Sequence, residues 1–255
     1  MRCESRFYVR RGPKVFIATQ GTRFDTRGQG ARHSMIELKR IFKSYKVANS
    51  WNRVLNDISV TFPTGVSVGV LGLNGAGKST LLRLIGGSEP PDKGLIRKDI
   101  RVSWPIGFSG GVHPSLTGRE SARFVARIYG EAAHRVERFA EDFTELGPYF
   151  DMQAKTYSSG MRARLNFALS MACSFDCYLV DEATAAGDRR FTLRYKEAFR
   201  ERLKSAYVLM VSHSPATIRD FCTAGAVLHR GKLEMYDTVQ NAMVAYSDHA
   251  DTERP

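Results

Sequence analysis

The chain has 255 residues, enough to bury one good hydrophobic core without requiring a second independent domain. Hydrophobic residues make up 43% of it and no run reaches about 18 uncharged apolar residues, so the composition excludes both a disordered chain and a membrane-spanning one. The formal net charge is +12, but residues 1–34 carry eight Arg or Lys against two acids, and the moderately basic remainder indicates no nucleic-acid partner.

Residues 1–34 form a basic segment that lacks the long apolar core of a secretory signal. Met35 then opens an alternating run of apolar and polar residues, the pattern of a strand at the start of a domain. We therefore predict a basic N-terminal extension at 1–34 that is disordered or not translated, a domain at 35–247 and a C-terminal tail at 248–255. A basic arm that contacts a membrane or nucleic acid is the alternative interpretation of the extension.

Two strand-like runs between Met35 and Thr64 flank residues 49–52, which have the composition of a hairpin connection. Tyr45 closes the first run. Its ring suits stacking on a purine base, although an aromatic residue in a strand more often packs against its neighbours. Tyr45 is therefore a candidate base-contacting residue, with a packing role as the alternative.

A glycine-rich loop follows the apolar run 66–71 and fits the phosphate-binding pattern G-x-x-x-x-G-K-[ST]. Leucines at helical spacing come directly after it, so the loop falls where a strand becomes a helix. Backbone N–H groups and Lys78 are expected to contact phosphate oxygens, and the Ser79 hydroxyl is expected to bind Mg²⁺. A nucleoside triphosphate should therefore bind to nine consecutive residues: Gly72, Leu73, Asn74, Gly75, Ala76, Gly77, Lys78, Ser79 and Thr80.

A helical subregion is predicted at about residues 115–173. Thr117 has the position of a helix N-cap, with Glu120 at the capping-box position. The expected buried face of this helix consists of the apolar residues at 124, 125 and 128. A later helix is predicted from residue 162 to residue 173. The residues just before it form either a second anion site or an ordinary cap; they are Ser158, Ser159, Gly160 and Met161.

Two carboxylates, Asp181 and Glu182, end an apolar strand at the kind of sheet edge where open parallel sheets bind ligands. Asp181 is expected to hold Mg²⁺ through water, and Glu182 to accept a proton from or orient the water that attacks the γ-phosphate. Solvated strand ends are the alternative. A further strand at 208–211 brings His213 to the same edge, where it is suited to hydrogen-bond the γ-phosphate.

Four cysteines, at positions 3, 173, 177 and 222, include no C-x-x-C pair. Two of them flank the start of the predicted strand before Asp181, which is a buried position. We interpret them as core thiols suited to a reducing cytoplasm, and not as zinc ligands.

The phosphate loop, the Ser-Ser-Gly helix start, the acidic strand end and the histidine, in this order, resemble the ATP-binding subunit of ABC transporters over about residues 35–247. The resemblance implies an α/β fold: a P-loop NTPase cassette with a RecA-like, mostly parallel sheet core, an N-terminal antiparallel β subregion and a helical subregion. It also implies ATP and Mg²⁺ as cofactors and Tyr45 as the aromatic residue that stacks on adenine. The catalytic residues it implies are Lys78, Glu182 and His213.

In such subunits a signature segment contacts the ATP held by a partner subunit. By resemblance, that segment consists here of Ser158, Ser159, Gly160 and Met161, and Asp188 is the acid of the D-loop. The implied metal ligands are Ser79 and Asp181. The implied working unit is therefore a homodimer of this chain with ATP between the two copies.

Several departures from the family pattern point to one of its branches. The signature with the residue before it reads Tyr-Ser-Ser-Gly-Met at 157–161. No glutamine occurs between Trp104 and Thr117, so the family's Q-loop role is assigned to no residue. These features, with Ser-Trp-Pro-Ile-Gly at 103–107 and Ser-Leu-Thr-Gly-Arg-Glu at 115–120, resemble capsular polysaccharide exporters of Gram-negative bacteria. Only 73 residues follow Glu182, about enough to finish the ATPase, whereas related O-antigen exporters often add a carbohydrate-binding domain.

The implied function is ATP hydrolysis that energises capsule export through a separate integral membrane permease. The chain would be peripheral on the cytoplasmic face of the inner membrane, and only the permease would contact the polysaccharide. The alternatives are an O-antigen or teichoic-acid-type exporter and a soluble ABC ATPase acting on ribosomes or DNA. Families of such soluble ATPases show two cassettes in one chain or a long coiled-coil insertion, and this sequence shows neither. A GTPase or small-molecule kinase is disfavoured because the chain has no Asn-Lys-x-Asp motif and has the signature helix.

Overall fold

The computed structural model describes residues 15–16, 35–106, 112–181 and 189–252. Glu182 and Asp188 lie outside these ranges, as does most of the extension at 1–34. The strands are β1 (Val15–Phe16), β2 (Ile36–Val47), β3 (Ser50–Phe62), β4 (Val68–Leu71), β5 (Lys93–Lys98), β6 (Val102–Ile106), β7 (Cys177–Asp181), β8 (Tyr207–Ser212), β9 (Ala224–His229) and β10 (Lys232–Tyr236).

Seven α-helices accompany these strands in the described ranges, and two short 3₁₀ helices, Gly147–Asp151 and Ala154–Thr156, lie between the third and fourth of them. The α-helices are α1 (Lys78–Gly86), α2 (Gly118–Tyr129), α3 (Ala133–Thr144), α4 (Ser159–Ala172), α5 (Arg189–Arg202), α6 (Pro215–Phe221) and α7 (Val239–Thr252). None of the helices in the described part of the chain is both long and apolar enough to cross a bilayer.

The strands form two sheets. A seven-stranded sheet has the order β1-β10-β9-β4-β8-β7-β6, and a three-stranded sheet has the order β3-β2-β5. In the larger sheet β9, β4, β8, β7 and β6 pair in parallel, while β10 and β1 add antiparallel strands at one edge. The smaller sheet is antiparallel throughout. The predicted fold class, a mostly parallel core with an N-terminal antiparallel β subregion and a helical subregion, is confirmed.

The larger sheet separates two hydrophobic cores because alternate side chains of a strand point to opposite faces. On β8, Leu209 and Val211 pack on the side that holds α1 and the three-stranded sheet. Val208 and Met210 pack on the other side, against residues of α4, α5 and α6. All four side chains are at most 2% exposed. Burial on both faces explains why the central strands read as continuous apolar runs.

Helix α2 begins as predicted, but its buried face differs. The Thr117 hydroxyl accepts from the Glu120 N–H and the Glu120 carboxylate accepts from the Thr117 N–H, a complete capping box. Phe124 and Ile128 are more than half exposed, so the predicted burial was wrong at these two positions and right at Val125. Helix α2 packs on α3 and α4, and apart from Val125 its buried residues are small: Gly118, Ser121, Ala122 and Ala126.

The structure differs from the sequence-based expectation at two further places. The hairpin turn consists of Ala48 and Asn49, because Val47 pairs with Ser50 and residues 50–52 already belong to β3. Strand β10 was not predicted; it follows a turn at Gly231, where φ is +74°, and pairs antiparallel with β9.

The described part of the extension, β1, pairs with the free edge of β10. The domain boundary at residues 34 and 35 remains a prediction.

The cysteines of the described ranges behave as core thiols. Cys173, Cys177 and Cys222 are buried and none forms a disulfide. Burial raises the pKa of the Cys173 thiol to about 11 and that of Cys222 to about 12, so both are protonated and unreactive at neutral pH.

Candidate functional site

The sheet brings three predicted site segments to one edge. Leu71, the last residue of β4, pairs with Ser212 of β8, and Asp181 of β7 pairs with Val211. The carboxyl ends of these three parallel strands therefore lie side by side, which is where open α/β sheets bind ligands. The phosphate loop, Asp181 and His213 all extend from this edge.

The glycines of the phosphate loop are required by backbone conformation and by close contacts. Gly77 has φ +102°, a left-handed conformation, and a Cβ placed on it would lie 2.6 Å from the Val54 Cγ1 atom. A Cβ on Gly72 would lie 2.6 Å from the Leu228 carbonyl oxygen. Real Cβ atoms essentially never come so close, so any larger residue would displace the loop. The loop is therefore held against β3 on one side and β9 on the other.

Lys78 opens α1 and turns its amine back over the loop. The Nζ atom donates to the Gly72 carbonyl at 2.7 Å and to the Leu73 carbonyl at 2.9 Å. The residue is only 8% exposed, and burial lowers the pKa of the amine while the charge of Asp181 opposes that change. The predicted metal ligand Asp181 and the predicted phosphate-binding cation therefore interact electrostatically across the loop.

No side chain within the described residues caps the start of α1. The helix follows Gly77, and the Ala76 N–H bonds to the Leu73 carbonyl inside the loop. A helix start combines N–H groups without intrahelical partners with the positive end of the helix dipole. This end of α1, with the Lys78 amine beside it, has the chemistry of a phosphate site.

The predicted signature segment forms the capped start of α4. The Ser158 hydroxyl accepts from the Met161 N–H at 3.2 Å, as in an ordinary N-cap, while Ser159 stays exposed. Just before it, Tyr157 is 3% exposed, and its hydroxyl donates to the Tyr149 carbonyl at 2.7 Å. This bond joins the signature to the 3₁₀ helix Gly147–Asp151 and so fixes the chain that enters α4.

We expect Tyr157→Phe to loosen the signature without removing the fold. The substitution keeps the buried ring but leaves the Tyr149 carbonyl without this donor, at a cost of about 1–3 kcal/mol. The melting temperature should fall by about 2–12 °C. ATP-dependent dimerisation, measured by analytical ultracentrifugation, should weaken by a factor of about 5 or more relative to the wild-type chain.

The matched control is Tyr236→Phe, which removes a tyrosine hydroxyl bonded to Glu234 on β10, away from the signature. It should lower the melting temperature without changing dimerisation. Dimerisation that is equally strong in Tyr157→Phe and the wild type would contradict the expectation that the Tyr157–Tyr149 hydrogen bond fixes the predicted signature for dimerisation.

His213 and Tyr45, two further predicted site residues, lie within the described ranges. His213 is exposed after β8, next to Ser214, whose N–H donates to the Ser212 hydroxyl at 2.9 Å. Tyr45 is half-buried near the end of β2, and its hydroxyl lies 3.5 Å from the Thr80 Oγ1 atom of the phosphate loop. Glu182 and Asp188 lie outside the described residues, so their assignments remain predictions.

Sequence reasoning missed the polar side chains around Tyr45. Arg83 and Glu89 both contact the Tyr45 hydroxyl, and Lys43 forms an ion pair with Glu89. Lys43 precedes Tyr45 by two residues and so shares its side of the strand, but Glu89 is 44 residues away in sequence. No short-range pattern indicates such a contact, because it depends on how the three-stranded sheet packs on α1.

The fold and this site define a P-loop nucleotide-binding domain with a helical subregion. Besides the N-terminus of α1, the N-terminus of α4 in that subregion is a second candidate anion site. The chain belongs to the ABC transporter family, whose profile matches residues 55–185. The predicted family is confirmed, and with it the class of an ATP-hydrolysing transporter subunit.

The chain is similar to several transport ATP-binding proteins, and two of the matches run along almost the whole length of the relative. It is 46% identical over 222 residues to the polysialic acid transport ATP-binding protein KpsT of Escherichia coli, a match that covers 86% of this chain and 99% of KpsT. It is 44% identical to the capsule polysaccharide export ATP-binding protein CtrD of Neisseria meningitidis serogroup B, a match that covers 84% of this chain and 99% of CtrD. The teichoic acids export ATP-binding protein TagH of Bacillus anthracis is 32% identical, covering 84% of this chain and 42% of TagH.

A solved bacterial ABC transporter cassette, determined as a dimer, has the same fold. It matches with a TM-score of 0.65 and 21% identity, over 78% of this chain and 96% of that structure. At this identity the likeness concerns the fold alone.

Proposed function

We propose that this chain is the ATP-hydrolysing subunit that energises export of capsular polysaccharide across the inner membrane through a separate permease. The observation that carries the proposal is the identity above 40% along nearly the full length of the two capsule-type proteins. The teichoic acid exporter is less similar, and the match covers less than half of it. Teichoic-acid-type export is therefore the second candidate. On this proposal the chain works at the cytoplasmic face of the membrane, bound to the permease.

The phosphate loop and Lys78 would bind the triphosphate of ATP. The Lys78 amine donates to two carbonyls of its own loop, which hold its charge at the site. Phosphate oxygens can replace these carbonyls as stronger, charge-assisted acceptors. The loop N–H groups and the start of α1 would bind the remaining oxygens.

Ser79 and Asp181 would hold Mg²⁺. Their hydroxyl and carboxylate oxygens are the donors that Mg²⁺ prefers, and the ion commonly takes only one or two protein ligands beside phosphate oxygens and water. The bound ion would neutralise charge on the phosphates during transfer to water.

Hydrolysis is assigned to Glu182 and His213. Glu182 follows Asp181 directly at the end of β7 and would orient or deprotonate the attacking water. His213 extends from the neighbouring strand β8 and would hydrogen-bond the γ-phosphate. The signature residues Ser158, Ser159, Gly160 and Met161, with Asp188, would complete the site on the partner subunit's ATP, so that loss of the γ-phosphate loosens the homodimer and drives the permease.

The direct test is deletion of the gene in the bacterium that encodes the chain. We expect polysaccharide to disappear from the cell surface and to accumulate inside, because synthesis continues while transport stops. The wild-type gene should restore surface polysaccharide and the Lys78→Ala gene should not, as measured by extraction and composition analysis of surface and internal fractions.

Composition analysis also separates the alternatives. Loss of a lipid A-linked O-antigen with an intact capsule would favour O-antigen export. A surface polysaccharide that is unchanged by the deletion, together with a defect in translation or DNA repair, would contradict the export function.

A further inference from the structure

A compact charged cluster surrounds the hydroxyl group of Tyr45. We call it the Tyr45 cluster; it consists of Lys43, Tyr45, Arg83, Glu89 and Asp92. Two of its members come from β2, one from α1, and two from the connection between α1 and β5. It therefore lies where the three-stranded sheet meets the helix of the phosphate loop.

Glu89 makes the central contacts of the cluster. Its Oε2 atom accepts from the Tyr45 hydroxyl at 2.8 Å and lies 3.3 Å from the Arg83 Nε atom. Its Oε1 atom lies 2.9 Å from the Lys43 Nζ atom. The carboxylate thus touches three other members, and its contact with Tyr45 is the shortest hydrogen bond described for that hydroxyl.

The charges in the cluster balance: Lys43 and Arg83 are opposed by Glu89 and Asp92. Burial raises the pKa of the Glu89 carboxyl, but the hydrogen bonds from Lys43 and Tyr45 and the nearby positive charges outweigh it, so the pKa is lowered overall. Glu89 is therefore a carboxylate at neutral pH and can only accept hydrogen bonds. The Tyr45 hydroxyl must then donate to it.

Lys43 does not need Glu89 as its sole partner. The Nζ atom also lies 3.3 Å from Asp92 Oδ1 and donates to the Pro90 carbonyl at 2.9 Å. The residue is 8% exposed, so a buried cation keeps two oxygen partners if Glu89 is replaced. Lys43 therefore does not depend on Glu89, whereas the Tyr45 hydroxyl does, because Glu89 is the acceptor of its shortest hydrogen bond.

Arg83 connects the same hydroxyl to the phosphate loop. One of its terminal nitrogens donates to the Tyr45 hydroxyl at 3.2 Å and to Thr80 Oγ1 at 3.1 Å. Thr80 is the last residue of the loop motif, and Arg83 lies one turn further along α1. The ring of Tyr45 is thereby fixed relative to the place where phosphates are proposed to bind.

We infer that Glu89 is a positioning residue for the nucleobase: by holding the Tyr45 hydroxyl, it sets the ring against which the base stacks, and so determines base-dependent affinity without affecting phosphate binding. The inference rests on the proposed ATP binding and on the proposed stacking role of Tyr45. Tyr45 is only half-buried, so the residue is not sealed off from solvent by the rest of the fold. An aromatic ring that is fixed in advance loses less entropy when a base stacks on it.

The test compares two ligands, a non-hydrolysable ATP analogue and inorganic tripolyphosphate, which has phosphates but no base. The measured quantity is the ratio of their dissociation constants, obtained by titration calorimetry with the full chain. We expect Glu89→Ala and Tyr45→Phe each to weaken binding of the analogue by a factor of about 3–10 and to leave tripolyphosphate binding unchanged. Tyr45→Ala should cause the larger loss expected when a stacking ring is removed.

The double variant Tyr45→Phe with Glu89→Ala should bind the analogue no more weakly than either single variant, because both substitutions remove the same hydrogen bond. Asp92→Asn is the matched control: Asp92 contacts Lys43 and the Ser44 N–H but not Tyr45. It should leave the ratio at the wild-type value. Melting temperatures measured in parallel show whether each variant is folded.

An unchanged ratio in Glu89→Ala overturns the inference, as does equal weakening of both ligands, which would indicate a merely structural role. Additive losses in the double variant overturn it as well. In each of these cases the wild-type chain still binds the analogue, so the proposed ATPase function stands. Failure of the wild-type chain to bind either ligand would instead contradict the proposed function.

Discussion

Replacing Lys78 with alanine should abolish ATP turnover and weaken ATP binding by a factor of about 10–150, the equivalent of about 1.5–3 kcal/mol for a hydrogen bond to a charged group. The amine is nearly buried beside the loop carbonyls, and no other cation is described within hydrogen-bonding distance of those carbonyls. The hydrolysis rate should fall by a factor of at least about 100, because a preorganised charge is lost from the site. Equilibrium binding of a fluorescent ATP analogue and a phosphate-release assay measure the two effects.

Lys98→Ala is the matched control for this substitution. The Lys98 amine also donates to a backbone carbonyl, that of Ile85 at the other end of α1, and burial lowers its pKa as it does for Lys78. We expect some loss of thermal stability and near-normal ATP binding.

Glu182→Gln should differ from Lys78→Ala by keeping ATP binding while stopping hydrolysis, since its proposed partner is the attacking water. Near-wild-type turnover in both variants would contradict the assignment of the site.

A mixture of Lys78→Ala chains with Ser159→Arg chains should recover ATP trapping that neither variant shows alone. Ser159 is exposed at the start of α4, so an arginine there fits without disturbing the core but blocks the face offered to a partner. In a mixed dimer one composite site contains both damaged halves, and the other contains a wild-type loop and a wild-type signature. In an equimolar mixture, random pairing makes half of the dimers mixed, so trapping should reach about a quarter of the wild-type value.

The experiment is made with Glu182→Gln added to both chains, so that bound ATP is retained and can be counted after gel filtration. Each variant alone provides the baseline. Trapping in the mixture that does not exceed this baseline, with the permease present and at saturating ATP, would contradict a site shared between two copies.

Local sequence patterns determined the phosphate loop, the first cap of the helical subregion and the central strands. The phosphate loop was predictable because its glycines and Lys78 lie within nine consecutive residues between a strand and a helix, and the capping box at Thr117 spans only three residue steps. The apolar runs of β4, β7 and β8 are local signals too. They indicated buried strands of a parallel sheet because burial on both faces leaves a continuous apolar run in the sequence.

Contacts between segments that are distant in the chain were decided by the tertiary structure. The burial of α2 could not be predicted at Phe124 and Ile128 because apolar character alone does not say which side of a helix will meet its neighbours. The Tyr45 cluster joins β2 to residues about 40 positions later, and its ion pairs exist only because the three-stranded sheet packs on α1. The sequence thus determined the phosphate chemistry through short-range motifs, whereas packing between sheet and helix decided what surrounds Tyr45.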